Sequence, residues 1–309
     1  MGILAGLAAF GAACAQEGSE PPTDAGAAEA SISEDELSHA TYQGIYDRPV
    51  TLDDGEWEGE PFVPGGASRP RLNLARDLRL AGDLDGDGSE EAVVLLSASS
   101  GGSGTHCFLA VVGRRGEGLV NLGTGLVGDR VQIRSARISG RRIELDVVQA
   151  GPEDAACCPS QKATRAWALG ADGLQEVASE ITGTLSLADL AGVEWVLTHF
   201  GWKDPAPPEP AITLIFEGER IVGSSGCNRY FSGVEAGKAP GELKIGPVGS
   251  TRMACPEDQM ALEDRYLKGL GRVVRFGFAT GRLVLSWSQE DATGSMLFAP
   301  RQPGANSMP

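Results

Sequence analysis

The chain has 309 residues and a formal net charge of −16, and it contains 43 glycines and 18 prolines. This acidity argues against nucleic acid as a partner, because phosphate binding needs clustered lysine and arginine. The many glycines and prolines favour short strands and turns over a helical bundle. We therefore expect a mainly β protein with two β domains that follow a disordered segment.

The first fourteen residues resemble the end of a bacterial export signal. The apolar run Ile3–Ala13 precedes Cys14 and is too short to cross a bilayer, which takes roughly 20 residues. The sequence Gly11-Ala12-Ala13-Cys14 is similar to a lipobox, in which the cysteine is lipidated. We expect an exported protein, periplasmic or anchored to a membrane through Cys14. The alternative is ordinary cleavage at Ala13-Cys14-Ala15, which releases a soluble secreted protein.

The acidic charge is concentrated near the front of the chain. Residues 15–68 contain thirteen acidic residues and one arginine, so they carry −12 of the net charge. Within them, residues 15–41 are rich in Ala, Glu, Ser, Pro and Gly, which predicts a disordered acidic tether. Residues 301–309 form a short C-terminal tail in this interpretation.

Residues 42–180 carry the pattern of an all-β domain. Residues 142–147 alternate polar and apolar side chains, as a half-buried antiparallel strand does. Residues 91–96 and 108–112 are more continuously apolar, which predicts central strands that are buried on both faces. We expect a meander or sandwich of seven or eight strands, with an irregular entry over 61–70.

An aspartate-rich loop is the clearest candidate for a binding site in this domain. Asp83, Asp85 and Asp87 alternate and Gly88 closes the turn, as at the start of an EF-hand, but no flanking helices are evident. With Glu91 at the ninth position, the loop is more similar to the calcium loops between strands of integrin-type repeats. We predict a structural Ca²⁺ site on the three aspartates and Glu91. The alternative is a metal-free turn whose carboxylates accept backbone N–H groups.

Three cysteines in this domain predict a structural disulfide. Cys157 and Cys158 are adjacent, no Cys-x-x-Cys motif accompanies them, and a zinc site is poorly supported. In an oxidising compartment we expect Cys107 to pair with one of the two. A disulfide between the adjacent cysteines is the competing possibility.

Two related motifs mark the C-terminal third. Gly226-Cys227-Asn228-Arg229-Tyr230-Phe231 and Ser250-Thr251-Arg252-Met253-Ala254-Cys255-Pro256 each follow a predicted strand and hold a cysteine and an arginine. They resemble the signature of the META domain, also called the HslJ-like family, of bacterial envelope proteins. The resemblance covers Leu185 to Phe298, and we assign residues 185–300 to this domain. It implies a small β-barrel or roll without an agreed enzymatic activity, and an association with heat or drug stress.

One helix is expected within this domain. Acidic residues follow Pro256, apolar residues recur at Leu262, Tyr266 and Leu270, and Gly271 comes directly after them. The helix is expected to close one end of a curved sheet of about eight strands.

Cys227 and Cys255 are expected to form a disulfide if the protein is exported. The bridge would close a loop of 29 residues and stabilise the domain by roughly 3–4 kcal/mol. In a reducing compartment the alternative is two buried free thiols.

The polar residues of the motifs, Asn228, Arg229, Thr251 and Arg252, have two interpretations. They could bind an anion such as a carboxylate, with an arginine donating two parallel hydrogen bonds to it. They could also satisfy turn and strand-end backbone groups, and we favour this structural role.

Of the possible functions, we expect a non-catalytic envelope module with an unknown protein or small-molecule partner. His39, His106 and His199 are scattered, and no Gly-x-Ser-x-Gly motif is present, so an enzyme is the weakest class. A carrier that holds a small ligand in the barrel interior is the alternative, and a hydrolase of envelope material ranks behind it.

Overall fold

Strands make up most of the folded chain. The computed structural model describes residues 31–301 except 103, 117, 156 and 291, and these residues belong to one compact unit. The expected signal segment with Cys14, residues 15–30 of the expected tether and the tail residues 302–309 lie outside the described residues. No helix in the described part is long and apolar enough to cross a membrane.

Residues 31–52 are folded, although the sequence assigned them to the tether as far as residue 41. They contain the helix α1 (Glu34–Ser38) and the paired strands β1 (Thr41–Tyr42) and β2 (Val50–Thr51). Ser33 and Glu36 form a capping box at the start of α1.

Buried apolar side chains explain why this segment is ordered. Ile32, Leu37 and Tyr42 are each less than 5% exposed, and they pack against the sheet that follows. A polar overall composition hid these few well-spaced apolar residues, and their burial offsets the entropy of ordering the segment.

The first large sheet is an antiparallel meander in the order β3-β4-β5-β6-β7. Its strands are β3 (Glu56–Glu58), β4 (Arg71–Gly82), β5 (Glu91–Ser99), β6 (His106–Arg115) and β7 (Gly118–Asp129). The first six residues of β5 are all buried, as their continuous apolar run predicted. One face of this sheet packs on the N-terminal segment and the other on the next sheet.

The second sheet has four antiparallel strands in the order β11-β10-β9-β8. They are β8 (Gln132–Ser139), β9 (Arg142–Gln149), β10 (Gln161–Gly170) and β11 (Gly173–Thr184). Leu145 and Trp167 share a buried core with Val93 and Leu109 of the first sheet. The predicted meander or sandwich is therefore correct in kind, with nine strands in these two sheets where seven or eight were expected.

The C-terminal region is a nearly closed barrel of eight strands that follows a 3₁₀ turn at Leu187–Leu190. Its hydrogen-bonded order is β16-β15-β14-β13-β12-β20-β19-β18, and β17 pairs with β15 beside this path. A bridge between Glu242 and Arg275 brings the two ends together. The strands are β12 (Glu194–Phe200), β13 (Thr213–Glu217), β14 (Arg220–Ser224), β15 (Arg229–Ala236), β16 (Leu243–Ile245), β17 (Gly249–Ser250), β18 (Val273–Ala279), β19 (Arg282–Gln289) and β20 (Ala292–Pro300).

The predicted helix α2 (Glu257–Leu270) closes the barrel, with Gly271 at its C-terminus. Tyr266 and Leu270 are fully buried, and the Tyr266 hydroxyl lies 2.7 Å from the hydroxyl of Tyr230. Large apolar side chains from the surrounding strands complete a single packed core. The interior of the barrel is therefore filled by the chain itself.

Strand β8 connects the sandwich to the barrel. The Gln132 side chain accepts a hydrogen bond from the Phe278 amide at 2.8 Å. The Asp189 carboxylate is 8% exposed and lies 2.7 Å from Lys162 Nζ and 3.3 Å from Arg134 Nη2. These bonds join the 3₁₀ turn and β18 to the second sheet.

Candidate functional site

The aspartate-rich loop lies between strands β4 and β5. These strands pair Gly82 with Glu91, so the loop spans residues 83–90 at the end of a hairpin. Gly86 and Gly88 have φ of 82° and 92°, a conformation that side chains with a Cβ rarely adopt. The tight turn brings the carboxylates before and after the glycines onto one side.

Three of the four predicted ligands come together. One carboxylate oxygen from each of Asp83, Asp85 and Glu91 lies within 4.8 Å of the others. Ca²⁺ takes oxygen ligands at about 2.3–2.6 Å, so oxygens with this spread can share one cation. All three donors are carboxylate oxygens, the kind of ligand that a hard cation prefers.

Glu91 is the distinctive member of this cluster, because its side chain is only half satisfied. Its Oε2 accepts hydrogen bonds from the backbone amides of Leu84 at 2.8 Å and Asp85 at 3.4 Å. The residue is 1% exposed, and its Oε1 is buried without any hydrogen-bond partner. Burial raises the pKa of this carboxyl above its ordinary value. An unpartnered buried carboxylate oxygen is costly, and a cation is the group that would satisfy it as an anion.

Asp87 stays outside the group of three. Its Oδ1 accepts a hydrogen bond from the Ser89 amide at 2.8 Å, and its Oδ2 lies 3.4 Å from Arg115 Nη1. Arg115 also forms an ion pair with Asp85. We therefore restrict the candidate ligands to Asp83, Asp85 and Glu91, with Asp87 in a structural role.

The metal-free alternative is visible in the same loop. Asp83 accepts a hydrogen bond from the Gly86 amide at 2.5 Å, and Asp85 accepts one from the Asp87 amide at 3.0 Å. Such turns need no ion. They do not, however, provide a partner for Glu91 Oε1.

The two motifs of the C-terminal domain meet at one end of the barrel. A disulfide joins Cys227, which precedes β15, to Cys255, which precedes α2, with the two Cα atoms 6.0 Å apart. The bond links the turn between β14 and β15 to the start of the helix.

Asn228 is the centre of this region, and its polar atoms are fully used. Its Oδ1 accepts hydrogen bonds from the Thr251 hydroxyl and the Met253 amide, both at 2.8 Å. Its Nδ2 donates to Glu263 Oε1 at 3.0 Å. With 5% of its surface exposed, the side chain has no group left to offer a ligand.

Glu263 is the partner that the sequence analysis did not find. It projects from α2 and also accepts hydrogen bonds from the Asn228 amide at 2.9 Å and from the Ser225 hydroxyl. The helical pattern around Leu262 placed Glu263 on a helix but gave no sign of which strand it faces.

The two arginines of the motifs do not join this network. Arg229 and Arg252 are exposed, and neither guanidinium has a hydrogen bond or ion pair in the described structure. Only the backbone of Arg229 takes part: its amide donates to the Thr251 hydroxyl at 3.2 Å, and its carbonyl oxygen accepts from the Thr251 amide at 3.0 Å. The geometry thus favours the structural role for Asn228 and Thr251 over an anion site.

The remaining cysteines pair differently from the preferred expectation. Cys157 bonds to its neighbour Cys158 in the connection between β9 and β10. Cys107 is a buried free thiol in β6, and burial raises its pKa to about 11. The expected bridge from Cys107 is therefore wrong in this structure, because the thiol faces the core between the two sheets, 3.8 Å from the carbonyl oxygen of Val131.

Comparisons with known proteins identify one part of the chain. Residues 188–301 match the family model of the META domain. No curated protein matches the chain. An NMR structure of a protein from Burkholderia xenovorans is 27% identical over 38% of this chain and 87% of its own length, with a TM-score of 0.32. A second NMR structure is 19% identical over 37% of this chain and 94% of its own, with a TM-score of 0.31.

The family match covers nearly the same residues as the resemblance found in the sequence, Leu185 to Phe298. It also coincides with the eight-stranded barrel and helix α2. The C-terminal third of this chain is therefore a META domain.

Proposed function

We propose that the protein is a non-catalytic module of the cell envelope, in which an N-terminal β sandwich stabilised by Ca²⁺ supports the META domain. Its role is structural or binding, in keeping with the stress-associated setting that the family resemblance implies. The polar residues of the META signature support a structural role, because Asn228, Thr251 and Glu263 bond to one another and to backbone groups. Polar groups that are paired in this way stabilise the fold and have no unused hydrogen-bond donor or acceptor for a substrate.

Glu91 gives the most direct support for the proposed Ca²⁺ site. One of its oxygens is buried without a partner, and one oxygen from each of Asp83, Asp85 and Glu91 lies within 4.8 Å of the others, within reach of one ion. In the absence of a cation, crowded carboxylates repel one another. A bound Ca²⁺ would fix the end of the β4–β5 hairpin, and β5 is the central strand of the first sheet, with its first six residues buried.

The disulfides support an oxidising location. The described part of the chain holds two of them, and structural disulfides persist outside the cytoplasm. Together with the lipobox-like sequence at Cys14, they favour export and anchoring to a membrane. We do not place a ligand inside the barrel, because its interior is occupied by packed side chains.

Isothermal titration calorimetry with Ca²⁺ tests the metal site. We expect one Ca²⁺ per chain and a loss of binding in Glu91→Gln. The matched control is Asp87→Asn, which removes a charge from the same loop but not from the group of three, and it should keep the site. No heat of binding in the wild type, or equal losses in both variants, would overturn the calcium site.

Cell fractionation tests the proposed location in the cell envelope. The full chain should be found in the membrane fraction of an expressing bacterium, and Cys14→Ser should release it or leave it unprocessed. A wild-type protein that stays in the cytoplasm with reduced cysteines would contradict the envelope function.

A further inference from the structure

A cavity opens at the mouth of the META barrel, outside its filled core. It measures about 310 Å³ and lies between the second half of α2 and the adjoining ends of β12, β19 and β20. Cavities that bind small molecules usually measure about 300–1,000 Å³, and barrel mouths are a common position for them. The size fits a ligand of about two fused rings.

The floor of this cavity, formed by Phe200, Trp287 and Met296, is apolar and partly aromatic. Met296 is buried, and Trp287 and Phe200 are half-buried. A Cβ on Gly294 would lie 2.3 Å from the Trp287 ring, so the absence of a side chain there lets the indole lie against strand β20.

Gly269 leaves the helix side of the cavity open. A Cβ at this position would lie 3.3 Å from the sulfur of Met296. Glycine inside a helix costs about 1 kcal/mol relative to alanine, so its presence in α2 is unfavourable for the helix alone. The space that it leaves adjoins the aromatic floor.

The rim is positively charged although the chain as a whole is acidic. Arg265 and Lys268 lie on α2, and Arg272 lies two residues beyond its end. The described residues that line the cavity include no aspartate or glutamate, whereas the chain carries a net charge of −16. Cations also favour the C-terminal end of a helix, but that preference does not require them to surround an apolar floor.

The three cations differ in how far they are already paired. Arg265 forms an ion pair with Asp204 at 2.5 Å and lies 3.9 Å above the Phe200 ring. Lys268 pairs with Asp264 at 2.6 Å. The exposed side chain of Arg272 has no hydrogen bond or ion pair in the described structure, so its guanidinium is free to bind a carboxylate.

We propose that this cavity binds a small organic anion, with a flat apolar body against Trp287 and Met296 and a carboxylate on Arg272. The site shares no residue with the calcium loop and does not depend on the proposed calcium function. Failure of one therefore leaves the other standing.

A titration followed by amide NMR tests the site with two probes of the same shape, 2-naphthoate and the uncharged 2-naphthamide. We expect 2-naphthoate to shift the amide signals of Gly201, Gly269 and Gly294 and to bind about tenfold more tightly than 2-naphthamide. Equal affinities, shifts that occur elsewhere, or no binding at millimolar concentration would overturn the proposal.

Three variants separate the charge from the cavity. Arg272→Gln should weaken 2-naphthoate about threefold and leave 2-naphthamide unchanged. Gly269→Ala should weaken both probes while keeping the fold, because alanine favours the helix. The control Arg142→Gln removes an exposed arginine of strand β9 that has no ion pair among the described residues, and it should change neither affinity. The same loss for 2-naphthoate in Arg142→Gln as in Arg272→Gln would contradict a specific carboxylate contact.

Discussion

Asn228 and Glu91 are both buried polar side chains, and they differ in how completely the chain satisfies them. Asn228 bonds through both of its polar atoms to neighbouring elements. Glu91 uses one oxygen and leaves the other buried without a partner. An unsatisfied buried polar group costs about 1–3 kcal/mol, and more when it is charged. Among the described residues, Glu91 Oε1 is the one carboxylate oxygen that is buried without a partner, and a cation would satisfy it.

Glu36 gives a prediction for the pH dependence of stability. The hydrogen bond from the Ser33 amide, followed by that from Arg114, lowers the pKa of Glu36 from 4.5 to about 2. A lowered pKa contributes stability above the unfolded value of about 4.5 and loses it as the pH falls towards 2. The free energy of unfolding of wild type should thus exceed that of Glu36→Gln at pH 6, and the difference should shrink between pH 4.5 and 2.

Urea unfolding of both proteins across this pH range measures that difference. A gap that stays constant from pH 6 to pH 2 would show that the Glu36 charge contributes nothing, and that the amide variant is weaker for another reason.

Helix α2 is fastened to the barrel at its N-terminal half by a disulfide and by Glu263. The disulfide attaches Cys255, two residues before the helix, to Cys227, and Glu263 accepts three hydrogen bonds from Ser225 and Asn228. Both attachments reach the same turn between β14 and β15. The META signature thus acts as a joint between one helix and one hairpin.

Replacing Glu263 tests this joint. Glu263→Gln retains the shape but exchanges an acceptor for a donor, so the free energy of unfolding should fall by about 1–3 kcal/mol. The control Asp264→Asn changes the next residue of the helix, whose carboxylate only forms an exposed pair with Lys268, and it should cost under about 1 kcal/mol. Equal effects in chemical denaturation would contradict the assigned role of Glu263.

The sequence predicted many of the individual strands and helices. The apolar run at the start of β5 and the spacing of Leu262, Tyr266 and Leu270 placed a central strand and the helix correctly. Helix α1 was missed, because its segment is polar on average and only Ile32, Leu37 and a few neighbours are buried. The spacing of apolar residues along the sequence indicates which residues prefer to be buried. It does not indicate which other part of the chain they pack against.

The whole molecule depends on the junction between the sandwich and the barrel. Asp189 is one of the polar contacts there, and its nearly buried carboxylate lies between Arg134 and Lys162. Removing one partner of a buried charge cluster leaves the others uncompensated.

We expect Asp189→Asn to lower the free energy of unfolding by roughly 3 kcal/mol. The control Asp172→Asn changes an exposed turn residue between β10 and β11 and should be nearly neutral. Differential scanning calorimetry also reports whether sandwich and barrel then melt separately. An unchanged single transition in Asp189→Asn would show that Asp189 does not couple the two.

Contacts between distant residues set the limit of the sequence analysis. The aspartate loop and the META signature were recognisable because their residues are neighbours in sequence. The roles of Glu263, 35 residues from Asn228, and of Asp189, 27 residues from Lys162, depend on which elements pack together. The free state of Cys107 has the same origin, because only the fold decides that its thiol faces the core.

The most direct test compares the free energy of unfolding of wild type and Glu91→Gln, each with chelator and with Ca²⁺. With chelator, the variant should be the more stable by about 1 kcal/mol, because its neutral amide removes a buried charge that lies close to two other carboxylates. With Ca²⁺ at about 100 times its Kd, wild type should gain about 2.7 kcal/mol and the variant almost nothing, so the order reverses. Two results together would contradict the calcium-stabilised sandwich. Wild type would be more stable than Glu91→Gln under chelator, and the stability of wild type would be the same with Ca²⁺ as with chelator.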